Sequence, residues 1–405
     1  MKIEIEQAHE QTLEKDDWVL FRLGFRPFFI AAACWSVVAM GLWMAEIVFS
    51  IDIVPEPLSP SFWHAHEMIY GYALAVIAGF LLTAVRNWTG IQTLHGSSLQ
   101  GLLLLWLVAR IAPLFPNHAM LVLGLICDGL FIVALSVALT WPIVQAKLWK
   151  NMVVVSKLYF FLPGHVLYSL GVLGMFPDGE RLGVYIGLYM VLSLILVLSR
   201  RLIPMFIERG IDTDGVKLRN CRWVDLACFL LFLVFITLDV FFALPVWIGC
   251  LALVLAALHA IRLWGWYHPD IWNHPLLWVL YVGYGWVVIA FVLKAASIWL
   301  AISPTLAVHA FAVGAIGMMT IGMIARIALG HTGRNIKQPP RGVAMVFGAL
   351  LAGAIVRVFA PLVVADHDLV VWIALSQGLW MMAYVLLLWL YMSILINPRI
   401  DGKWG

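Results

Sequence analysis

The residues best suited to chemistry in this sequence are histidines set near the ends of long apolar runs. The densest group is Trp63-His64-Ala65-His66-Glu67-Met68, and a further histidine, His309, stands at a similar place in a later run. Imidazole suits haem iron and copper, and a thioether suits Cu(I), so His64, His66, Met68 and His309 are candidate metal ligands. Glu67 is a candidate acceptor that orients a ligating imidazole. On a regular helix two residues two apart point about 200° from each other. His64 then shares a face with Glu67 and Met68, while His66 shares one with Tyr70. One histidine can ligate while the other donates to a carboxylate, or the group is a polar collar at a membrane interface.

The runs that carry His66 and His309 share a pattern. Glycines fall at +5 and +13 from His66 (Gly71, Gly79), followed by Thr89 and Gly90; the same offsets from His309 give Gly314, Gly322, Thr332 and Gly333. Two similar helices with a histidine at one depth would flank a flat ligand, with His66 and His309 as axial ligands of a haem. The alternative is close packing of glycine-rich membrane helices. Their far ends carry Arg86, Arg326, His331 and Arg334, which suit haem propionates or another anion, or a charged anchor outside the membrane. At about 1.5 Å per residue His331 lies roughly 33 Å along the helix from His309, so the two cannot share a metal. Within other runs, Asp128 or another acid can neutralise Arg110 or Lys294, and His165 is a further ligand, a proton-relay member or a structural hydrogen bonder. His9 and His367 fall in a tail and a loop.

What must position these groups is a lipid-embedded scaffold. Of 405 residues 63% are hydrophobic and 12% charged, against about 45–50% and 25% for a soluble domain. Twelve apolar runs can be marked, at 28–50, 64–86, 98–115, 118–140, 152–175, 181–206, 224–243, 245–266, 275–300, 304–329, 341–364 and 368–396. The expected fold is all-α and polytopic, with about twelve transmembrane helices. It divides into an N-terminal segment 1–27, one membrane domain 28–396 and a tail 397–405. The first run is too long, and too far from the start, for a signal peptide. Most Lys and Arg fall at the two ends and in alternate loops, which places both termini in the cytoplasm and His64, His66 and His309 near the opposite leaflet. A net charge of +3 gives no reason to expect nucleic acid. The five cysteines form no CxxC pair, so neither a disulfide framework nor a thiolate metal site is expected.

Phe21-Arg22-Leu23-Gly24-Phe25-Arg26-Pro27, the Trp63–Met68 segment, Gly79-Phe80-Leu81-Leu82-Thr83, Asn87-Trp88-Thr89-Gly90, Arg201-Leu202-Ile203-Pro204 and Gly330-His331-Thr332-Gly333-Arg334 together resemble the NnrS family. That resemblance implies a multi-pass protein of the bacterial inner membrane that contains haem and copper. It also implies a part in nitric oxide metabolism or resistance to nitrosative stress, in the setting of denitrification, with nitric oxide as the small ligand. It does not say which histidine serves which metal. Two other readings stay open. A secondary transporter would route an ion or substrate past His64, Asp128, Lys294 and Arg110. A nitric oxide reductase-like enzyme would need a redox partner, for which the sequence shows no docking site. A dinuclear centre of the respiratory oxidase kind is disfavoured, because only His64, His66 and His309, with His118 at most, share one depth.

Overall fold

The structure is a computed structural model that describes residues 18–213, 215–363 and 368–405. His9 and His367, read from the sequence as lying in a tail and a loop, lie outside the described residues. Among the described residues twelve helices are long and apolar enough to cross a membrane: α1 Phe25–Val48, α2 Pro60–Thr89, α3 Gly96–Leu114, α4 His118–Gln145, α5 Trp149–Val172, α6 Gly179–Gly210, α7 Arg222–Phe241, α8 Pro245–Gly265, α9 Pro275–Trp299, α10 Pro304–His331, α11 Val343–Leu362 and α12 Leu369–Ile396. No strand occurs among the described residues. Every run read from the sequence is one of these helices, and the protein is a multi-pass membrane protein.

The ends follow local chemistry. Proline opens α2, α8, α9 and α10, where its missing N–H costs nothing because a first-turn N–H has no intrahelical acceptor. The Asn117 side chain caps α4 by accepting from Ala119 N, and Gly90 closes α2 at φ +70°. The helices differ in depth: the apolar window of α2 is 83% buried and that of α10 72%, whereas for α7 it is 28%. The two helices with the paired histidines therefore form the centre of the bundle, and α7 faces lipid.

Both central helices break regularity at the same place. A π-helical stretch runs over Glu67–Ala73 in α2 and over Ala310–Gly317 in α10, each beginning one residue after the histidine. Such wide turns re-aim the side chains around them and recur at functional sites. Each stretch contains a glycine against which a tryptophan of the preceding helix packs. A Cβ on Gly71 would stand 2.8 Å from Trp35 Nε1, and one on Gly314 would overlap the Trp286 indole. Further along, Gly79 packs on Phe28 and Phe29, and Gly322 on Val279 and Leu280. Trp35 follows Phe29 by six residues and Trp286 follows Leu280 by six. The pairs α1–α2 and α9–α10 are thus two copies of one hairpin.

The helices that follow the two hairpins, α3 and α11, end in the same three residues. Arg110 of α3 precedes the 3-10 turn Ala112–Leu114, and Arg357 of α11 precedes the 3-10 turn Ala360–Leu362; both turns read Ala-Pro-Leu. Because overpacking a membrane seam costs about 1–3 kcal/mol, Gly314→Val should lower the thermal unfolding midpoint in detergent. Gly348→Val, where a Cβ meets nothing within 4 Å, should leave it in place.

Candidate functional site

The end of the bundle that carries His64 and His309 is called the upper end here. A cavity of about 360 Å³ opens there between α1, α2, α6, α10, α11 and α12. That volume lies within the usual range of small-molecule and cofactor pockets, about 300–1,000 Å³. His64, Met68, His309 and Arg357 line it, and Trp43, Tyr72, Tyr185 and Trp380 supply aromatic walls. The structure therefore brings His309 together with His64, and the expected pairing of His309 with His66 is corrected. The cause is helical phase: His64 and His66 point to opposite sides of α2, and only the first looks toward α10.

The two cavity histidines are held differently. His309 Nδ1 lies 2.7 Å from the Thr305 carbonyl, which can only accept, so Nδ1 carries the proton and Nε2 keeps its lone pair. His64 stacks on Trp43 with centroids 4.7 Å apart, and its buried Nδ1 has no hydrogen-bond partner. Arg357 enters the cavity with no ion-pair partner among the described residues. Imidazole nitrogens, a thioether, flat aromatic walls and a guanidinium form a donor set that fits a haem bearing anionic propionates.

His66 belongs to a second, closed site on the other side of α2. Its ring lies between Tyr168 at 4.1 Å and Tyr70 at 4.7 Å, both nearly parallel to it. His66 Nδ1 is 3.1 Å from Glu67 Oε1. Glu67 also accepts from Arg110 Nη1 at 2.8 Å and from Trp35 Nε1 at 2.9 Å. Arg110 makes a close ion pair with Asp128. His165 donates Nε2–H to the Leu125 carbonyl at 2.8 Å, so its Nδ1 lone pair turns inward. With Nδ1–H of His66 given to Glu67, His66 Nε2, His165 Nδ1 and Asp128 Oδ2 present three lone pairs within 4.8 Å of one another.

Two carboxylates face one guanidinium here, which leaves one negative charge in a fully buried place. A net buried charge is costly unless compensated. One imidazolium proton or one metal ion would balance it, and Asp128 Oδ1, buried without a partner, offers a cation a further oxygen. Two imidazoles with one carboxylate are a ligand set for iron or copper. Lys294, by contrast, is neutralised by Asp239 at 2.6 Å.

Of the expected lower-end group, Arg86, Arg326 and His331 are engaged by the protein itself, and none of the four lines the upper cavity. The guanidinium of Arg86 lies 4.7 Å over the Trp404 ring and that of Arg326 3.8 Å over Phe206. His331 Nε2 is 3.4 Å from Asn87 Nδ2, and its carbonyl accepts from Arg399 at 2.9 Å. Arg334 has a buried Nη1 without a partner. Arg26, which sequence reasoning passed over, donates to the main-chain oxygens of Leu395, Asn397 and Gly405. These contacts fold residues 397–405 under the bundle.

One clasp of that segment sets a pH dependence. The Arg399 guanidinium holds the Asp401 carboxyl down, from the ordinary 3.8 to about 2. A depressed carboxyl pKa contributes stability that is present above about 4 and is lost as pH falls through 2. Hydrogen exchange at Ile400, whose N–H donates to the Thr332 carbonyl, should therefore be unchanged from pH 8 to 5 and quicken, relative to its intrinsic rate, between pH 4 and 2.

A family model described as NnrS protein matches residues 19–399. No curated protein matches the chain.

Proposed function

We propose, for a chain that belongs to the NnrS family, a role in the nitric oxide response built on two metal-holding sites on opposite faces of α2. The upper cavity would hold a haem, with His309 as the imidazole that would ligate it. The observation that carries this reading is the Nδ1 bond of His309 to Thr305, which leaves Nε2 free on a ring lining a cofactor-sized cavity. His64 lines the same cavity, stacked on Trp43 and without a hydrogen bond at Nδ1, and would be the second imidazole available to the group. Met68 offers a soft sulfur beside it. Arg357 pairs with a propionate. The closed group of His66, Asp128 and His165 holds the copper, with Glu67 orienting His66 and Tyr70 and Tyr168 keeping water out.

When bound, haem iron supplies the coordination position at which nitric oxide is captured. The chain's contribution is to present that position inside apolar walls that an uncharged diatomic gas enters readily from lipid. The lower end, where Arg and Lys gather, faces the cytoplasm of a bacterial inner membrane, and the cavity opens toward the periplasmic leaflet.

An optical spectrum with metal analysis of detergent-purified protein tests this. A Soret band that shifts on adding nitric oxide, together with bound copper, is expected. A protein without Soret absorbance after expression with haem supplied would overturn the cavity assignment.

A further inference from the structure

A third polar site lies apart from both metal sites, between α6, α7 and α8 at the lower end. It is a cavity of about 340 Å³ lined by Arg200, Arg222, Asp225, Cys228, His259 and Arg262, with Leu226, Phe229 and Phe232 as its apolar flank. Asp225, its one carboxylate, already accepts from Arg262 at 2.9 Å and makes a close contact with Arg200. What remains is a set of donors. Arg200 is bound through Nε alone and is half exposed, and Arg222 stands exposed at the first turn of α7.

The deepest donor is His259. Tyr284 Oη accepts from Arg262 Nη1 at 2.8 Å and lies 2.7 Å from His259 Nδ1. Giving its own proton to Nδ1 satisfies all three groups and leaves the proton of His259 on Nε2. His259 is 0% exposed and Nε2 has no acceptor, nor has the buried Nε of Arg262. A buried N–H left without a partner is costly, so this wall is built for an acceptor the protein does not itself supply. Lys157 of α5, outside the lining, holds its ammonium 5.6 Å over the Phe229 ring and adds positive charge beside that flank.

We propose that this cavity binds a phosphate-bearing anion, the headgroup of an anionic phospholipid in the leaflet on the lysine- and arginine-rich side. The lipid source is favoured by position. Leu226 and Phe229 are exposed on α7, the helix that faces lipid, so acyl chains continue along the flank while the phosphate sits among the guanidinium groups and beneath the α7 first-turn N–H groups.

Native mass spectrometry tests this with the full chain taken from vesicles of equal phosphatidylglycerol and phosphatidylcholine. The wild type is expected to retain phosphatidylglycerol selectively. Arg200→Gln with Arg222→Gln should cut that retention by roughly ten- to thirtyfold, whereas Lys147→Gln with Lys150→Gln, exposed at the same end, should leave it intact. Equal retention of the two lipids, an unchanged Arg200/Arg222 variant, or an equal loss in the Lys147/Lys150 variant would overturn the proposal. So would full displacement by millimolar inorganic phosphate, which would make the ligand a free anion. Monodisperse elution of each variant guards against misfolding as the cause.

Discussion

Arg110→Met is expected to lower stability by about 3–5 kcal/mol, the usual result of removing one partner from a buried ion pair. Arg110 is fully buried, donates to both oxygens of Glu67 at 2.8 Å and pairs closely with Asp128. Without it two carboxylates stand side by side with only imidazoles and the Trp35 indole N–H to answer them. The penalty comes from the stranded charges, so it should be relieved when they are removed. Arg110→Met combined with Glu67→Gln and Asp128→Asn should regain most of the loss in detergent unfolding curves. Equal instability of the single and triple variants would mean that packing, and not charge, is what Arg110 provides.

The second large effect concerns the upper cavity. His309→Ala removes the cavity imidazole whose free nitrogen is fixed by a backbone bond, and haem occupancy should fall to background while the protein stays folded. Arg357→Leu touches no ligand atom and should weaken haem retention by roughly ten- to a hundredfold, the range seen when a supporting contact is lost. Haem titration of the apo-protein separates the two. Undiminished haem affinity in His309→Ala would remove the axial assignment, and undiminished affinity in Arg357→Leu would remove the propionate contact.

The architecture was legible because lipid imposes a simple code. A stretch of about 20 apolar residues has to become a helix when no water can serve its backbone, and all twelve runs did. The glycine offsets from His66 and His309 were also readable, and they mark two copies of one hairpin. What they could not reveal was the partner of each histidine. Equal depth says nothing of azimuth, and azimuth decides that His309 meets His64 while His66 turns toward His165. The 200° separation of His64 from His66 was the available signal.

Arg110 and Arg357 show the same limit from another side. The Ala-Pro-Leu turns after them were visible in the sequence, but they follow Arg110 by two residues and Arg357 by three, so they did not mark Arg357 as a cavity residue. The two arginines then differ by context: Arg110 meets Glu67 and Asp128, whereas Arg357 meets no carboxylate among the described residues and is left to a ligand. At the lower end a cationic cluster looks alike in sequence whether it awaits an anion or is stacked, as Arg326 and Arg86 are, on Phe206 and Trp404.

The most direct measurement compares Soret absorbance and copper content in purified His64→Ala, His66→Ala and His309→Ala proteins. His309→Ala is expected to lose the haem signal and His64→Ala to alter its spectrum, both keeping copper, while His66→Ala keeps the haem and loses copper. Loss of the haem in His66→Ala together with its retention in His309→Ala would contradict this assignment.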